Sequence, residues 1–125
     1  MTSSKSNALV LGRIAATLPV QDVEKAYKSY NSVFGFEKTF ENGDPVGFMI
    51  LKRDSAELHL TLQKDHRHPT FNVAHILVSN ADEACRRCQE HGFRIIKKLQ
   101  DKDYGLRAFV FSDDDGNRID VGEII

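Results

Sequence analysis

The sequence predicts an α+β fold: two βαβββ modules whose eight strands form a curved cup with the helices on the outside. Three observations carry this reading. Two segments of helical spacing each end at a Gly-Phe pair, Gly35-Phe36 and Gly92-Phe93, 57 positions apart. Each is preceded by one strand-like run and followed by three. Landmark residues also recur at a near-constant distance. Val20 and Val78 close the first strands 58 apart, Phe48 and Phe109 stand in the third strands 61 apart, and Leu58-His59-Leu60 and Ile119-Asp120-Val121 in the fourth are also 61 apart. A period this long with a repeated element order marks an internal repeat.

The elements follow in order. "RIAATLPV" alternates as a half-buried strand does, and "VEKAYKSYNSVF" follows with Asp22 as its N-cap and Gly35 as its stop. Then come the strand-like runs "FEKTF", "GFMILKR" and "AELHLTL". The second module opens with "NVAHILV". Its helix starts at Asn80, with Glu83 completing a capping-box pattern, and stops at Gly92. "FRIIKKL", "LRAFVF" and "RIDVGEI" finish it. Module one spans residues 13–63, the linker 64–71 and module two 72–124. The linker "KDHRHPT" is polar and broken by proline, so His66 and His68 read as solvated.

Strand alternation assigns the faces. Leu58, Leu60 and Leu62 should lie under the helix, with Glu57, His59, Thr61 and Gln63 on the concave side. Ile119 and Val121 join the helix side, and Asp120 the concave side, where it should approach its repeat mate His59 when the two modules close. In the first strands Ile14, Ala16 and Leu18 should pack inward, leaving Ala15 and Thr17 concave; their repeat mates are Val73 and His75. A carboxylate at Asp120, in a strand that otherwise reads Ile119, Val121 and Ile124, asks for a purpose. A metal, a cationic ligand or plain solvent would each serve.

The totals narrow the function. The 125 residues suffice for one domain with its own core. Net charge is −1 with Lys and Arg scattered, so no basic stripe invites nucleic acid. The apolar run Ala8–Leu11 is too short to span a membrane or to act as an export signal, so a cytoplasmic protein is expected. The leading "MTSSKSN" reads as a frayed tail. Cys85 and Cys88 form one C-x-x-C well inside the second helix, with no second ligand pair for zinc. They read as small buried helix-face residues. No nucleophile elbow or phosphate-cradling glycine loop is present.

Paired βαβββ modules with "LPVQDVEKAYKSYNSVFGF" and "GLRAFVFSDDDGNRIDVGE" resemble the vicinal oxygen chelate superfamily. That superfamily includes glyoxalase I, extradiol dioxygenases, fosfomycin-resistance enzymes and bleomycin-resistance proteins. The chain is most similar to the bleomycin-resistance type. The closing family motif D-P-D-G-N is here Asp113-Asp114-Asp115-Gly116-Asn117, with Asp114 in place of proline.

The resemblance implies metal-ligand places at Ala15, His59, Val73 and Asp120, of which Ala15 and Val73 have no donor atom. It therefore favours a binding protein without cofactor over the family's metal chemistry. One alternative remains: His75 could join His59 and Asp120 as a 2-His-1-carboxylate set for a divalent metal, serving a glyoxalase-like lyase or isomerase, or a dioxygenase. Without metal, the expected ligand site is His59, His75, Asp120, Glu57 and Thr17, with Phe48 and Phe109 as aromatic walls or, equally, as core. Aromatic faces and carboxylates suit a small cationic or aromatic molecule. Family members commonly pair modules across a two-fold axis, so a homodimer is expected, as is general for soluble oligomers.

Overall fold

A computed structural model describes residues 7–125; the predicted tail lies outside these except for Asn7. The first module is β1 (Ala16–Val20), α1 (Val23–Phe34), β2 (Glu37–Asn42), β3 (Phe48–Arg53) and β4 (Ala56–Leu62). The second is β5 (Asn72–Leu77), α2 (Ala81–His91), β6 (Arg94–Asp101), β7 (Leu106–Ser112) and β8 (Arg118–Ile124). Each module forms its own four-stranded mixed sheet, in the orders β1-β4-β3-β2 and β5-β8-β7-β6. The parallel pairs are β1 with β4 and β5 with β8. This is the predicted α+β pair of modules.

Local sequence sets the helix limits. The Asp22 carboxylate accepts from Lys25 N at 3.1 Å and the Asn80 side chain from Glu83 N at 3.0 Å. Gly35 (φ 75°) and Gly92 (φ 97°) end the helices in the left-handed conformation that glycine adopts without a Cβ clash. The capping box is only half made. Glu83 turns to Arg86 and Arg87 rather than back to the Asn80 amide, and the first-turn amide of Ala81 donates to Glu123 on β8, at 2.8 Å.

The core lies between sheets and helices. Leu18, Met49, Leu51, Leu58 and Leu60 meet Val23, Ala26, Tyr30 and Val33 of α1; Phe109, Phe111, Ile119 and Val121 meet Ala84, Cys85 and Cys88 of α2. The cysteines are buried as expected, and burial pushes the Cys88 thiol up to about 12. The two cores merge. Phe93 stacks on Phe111 at 5.2 Å and 7°, Tyr30 lies 6.1 Å from Phe93, and Phe34 lies 5.7 Å from Phe111.

The turn after β7 fastens the modules together. Asp113 accepts the Tyr30 hydroxyl at 2.7 Å and the backbone amides of Asp115 and Asn117, each at 2.9 Å. Ser29 donates to Asp114, Gln21 N donates to Asp115, and Asn117 Nδ2 reaches Pro19 O. The aspartates of the closing motif thus bind the first module.

Two expectations need correction. Ile14 was expected in the core but precedes β1 and is 95% exposed. Phe109 was expected as a possible cup wall but is 1% exposed and faces the helix side, opposite Val121. The cause is register. Phe48 pairs with Thr61, and Gly122, 61 positions after Thr61, pairs with Ala108. The structural mate of Phe48 is therefore Ala108, and a one-residue slip exchanges faces.

Candidate functional site

On the sheet faces turned away from the helices, cross-strand register aligns the predicted residues. In the first module Thr17, His59 and Ile50 form one row across β1, β4 and β3. In the second, His75, Asp120, Val110 and Lys97 form the matching row across β5, β8, β7 and β6. Thr17 is exposed and His59 half-buried. Phe48 meets the His59 ring edge-on at 5.4 Å, so of the two predicted aromatic walls it is the one on this face.

Each histidine has taken a carboxylate from its own sheet. His59 Nε2 lies 2.6 Å from Glu57, two residues along β4, and His75 Nδ1 lies 2.8 Å from Asp120 across the β5–β8 ladder. Alternation explains the first pair, since residues two apart share a face. The second needs space. A Cβ at Gly122 would stand 3.2 Å from His75 Cε1 and 3.3 Å from Leu106 Cδ1, so glycine there leaves room for the ring. His59 does not pair with Asp120, contrary to expectation: each imidazole is satisfied within its own module.

Glu57 is the centre of charge in the first module. Arg13 donates to it at 2.6 and 2.9 Å and Lys52 approaches at 3.6 Å. The hydrogen bond with His59, followed by that from Arg13, holds the carboxyl down at about 2. Linkage gives the sign. A lowered folded pKa contributes stability that is present above the ordinary value near 4.5 and is lost as pH falls towards about 2. Observing the side-chain carboxyl carbon by NMR should give a Glu57 midpoint near 2; a midpoint at the ordinary value would show that the His59 and Arg13 contacts are not kept in solution.

Glu57 and His75 also line one cavity of about 280 Å³ between the two modules, with Tyr30, Phe34, Phe36 and Phe111 among its walls. It brings one member of each imidazole–carboxylate pair to a shared, mostly apolar space. The part played by Arg13 was not read from the sequence: alternation along "RIAATLPV" puts it on the face of Ala15 and Thr17, but nothing local names its partner Glu57, 44 positions on. Ile50, beside His59, was legible from alternation along β3.

The family's metal places do not fit a metal here. Ala15 and Val73 offer no donor, and Val73 packs against the core at the β5 irregularity between Asn72 and Ala74. Among the described residues no group of three or more His, Cys, Asp or Glu side chains is placed to hold an ion, so the His59, His75, Asp120 set is not assembled within one chain. No helix among them is long and apolar enough to cross a membrane.

Comparison with known proteins places this geometry. Residues 11–121 match the family model described as the glyoxalase/bleomycin resistance protein/dioxygenase superfamily. A superfamily member from Sphaerobacter thermophilus is 30% identical with a TM-score of 0.75, over 91% of this chain and 98% of that one. Two further structures share the fold. A bleomycin resistance determinant encoded on transposon Tn5 is 19% identical, with a TM-score of 0.77 over 91% of this chain and 98% of that one. TnmS3, an antibiotic-binding protein from Streptomyces sp. CB03234, is 24% identical, with a TM-score of 0.75 over 94% of this chain and 100% of that one. No curated protein matches. The repeated modules, their register and the family match lead to one conclusion: the chain belongs to the glyoxalase/bleomycin resistance protein/dioxygenase superfamily.

Proposed function

We propose that this protein binds and sequesters a small aromatic or cationic molecule on its helix-free sheet faces, without metal and without chemistry. The observation that carries the reading is the pairing of both histidines with carboxylates, beside positions at Ala15 and Val73 that cannot ligate. Paired imidazoles and carboxylates offer directed polar contacts, and Phe48 and Ile50 offer an apolar bed beside His59. Glu57 is already countered by Arg13 and Lys52 and hydrogen-bonded with His59. Asp120, with His75 as its partner, is the carboxylate left for a ligand cation. Fold relatives whose names record bleomycin resistance and antibiotic binding support the class of ligand. Calorimetric titration with a panel of aromatic and cationic antibiotics tests the proposal; a panel without any saturable binder would count against it.

Two expected outcomes accompany it. Protein purified without chelator should carry no stoichiometric divalent metal. About one equivalent of zinc, iron, manganese or nickel per chain, lost in Asp120→Ala, would replace this reading with the metal-dependent lyase, isomerase or dioxygenase one. The protein should also be a homodimer. Leu9, Val10, Leu11 and Ile14 are more than 80% exposed, and Phe71, Leu77 and Ile124 more than half, apolar side chains that a second copy would cover in the two-fold pairing common among soluble oligomers. Only monomer in sedimentation at micromolar concentration would reject this.

A further inference from the structure

Five of the eight arginines are ion-paired: Arg13 with Glu57, Arg53 with Asp54, Arg86 and Arg87 with Glu83, and Arg107 with Asp82 and Asp101. The remaining three, Arg67, Arg94 and Arg118, have no carboxylate partner among the described residues. They come from the linker, the start of β6 and the start of β8, and all three line one hollow of about 840 Å³. Arg118 makes a single long hydrogen bond, to Thr70 O at 3.4 Å. His66 and His68 line the same hollow, and His66, expected in solvent, instead has its Nε2 buried without a hydrogen-bond partner, because the linker folds back onto Gln21.

From this convergence we infer that the hollow between the linker and the β6 and β8 starts binds a phosphate-type oxyanion carried by a small molecule. Asp113, Asp114 and Asp115 also line it, but each is committed elsewhere, to Tyr30, Ser29 and the Gln21 amide. These hydrogen bonds from neutral donors turn the three carboxylates towards the first module, and none of them is ion-paired with Arg67, Arg94 or Arg118 among the described residues. Guanidinium groups present paired donors that match phosphate oxygens, and an imidazole with a free nitrogen can add another. The linker is held in place to do so. Gln21 Nε2 donates to His66 O at 3.1 Å and His66 N donates to Gln63 O at 2.9 Å. His68 lies against Gly116 (φ 80°), in the space a Cβ there would occupy. This site is distinct from the histidine–carboxylate pairs and does not depend on the proposed sequestering role.

Inorganic pyrophosphate is the probe, titrated calorimetrically against the full chain at constant ionic strength. Wild type should bind saturably, at one equivalent per chain. Arg94→Gln and Arg118→Gln should each weaken binding about tenfold, the scale of one charge-assisted contact. Arg86→Gln, on the exposed face of α2, should leave it unchanged. Thermal unfolding without pyrophosphate should match wild type for all three variants, which establishes that any loss comes from the site. The inference is overturned by absent saturation in wild type, by equal loss in Arg86→Gln, or by intact binding in the Arg94→Gln/Arg118→Gln double variant. Citrate binding more tightly than pyrophosphate would overturn the phosphate assignment.

Discussion

Replacing Asp113 by alanine is expected to cost about 3 kcal/mol or more and to lower the unfolding midpoint by roughly 10 °C. The carboxylate is 7% exposed and accepts from Tyr30 Oη and from two backbone amides. Tyr30 and Asn117 are themselves buried, so alanine would strand donors that water cannot reach. Burial raises the pKa of Asp113 and raises that of Tyr30 well above its ordinary value, consistent with a contact made away from solvent. Asp113→Asn separates hydrogen bonding from charge. Its amide oxygen can still accept both backbone amides, and its NH₂ can donate to the tyrosine oxygen, so less than half the loss is expected. Urea unfolding of both variants and of Tyr30→Phe decides the matter. If Asp113→Ala unfolds at the wild-type midpoint, the turn does not fasten the modules.

The contrast between this turn and the helices shows what was legible in the sequence. Asp22, Asn80, Gly35 and Gly92 act on their own neighbours within a few residues, so their roles could be read directly from the chain. The Glu57–His59 pair was also within reach, because alternation along β4 puts both on one face. Asp113 to Asp115 look like turn residues and do form a turn, but their side chains act on α1 and on Gln21, which precedes its N-cap, more than 80 positions away. No local pattern encodes such partners. Phe109 failed for a different reason. The repeat holds at 61 in the fourth strands, but matching Phe48 to Phe109 assumed the same offset in the third, where register places Ala108 opposite Gly122. The predicted meeting of His59 with Asp120 failed because each found a nearer partner, and sequence spacing says nothing about that competition.

Asp120→Asn should weaken binding of a cationic aromatic ligand about tenfold while shifting stability by less than about 0.5 kcal/mol. The residue lies on the helix-free face, between His75 and Val110 in its row, with its side chain 26% exposed. Its strand neighbours Ile119 and Val121 carry the core contacts, and asparagine keeps the shape of the side chain while removing its charge. His75 supplies a second arm. Its ring nitrogen lies 2.8 Å from the carboxylate and orients it, so His75→Gln should also weaken binding of cationic ligands. A neutral aromatic ligand resting near Phe48 should be insensitive to both substitutions. Calorimetric titration of wild type and the two variants, alongside thermal unfolding, measures all of this. Should Asp120→Asn unfold the chain, the carboxylate is structural; should it leave every affinity unchanged, the ligand binds elsewhere.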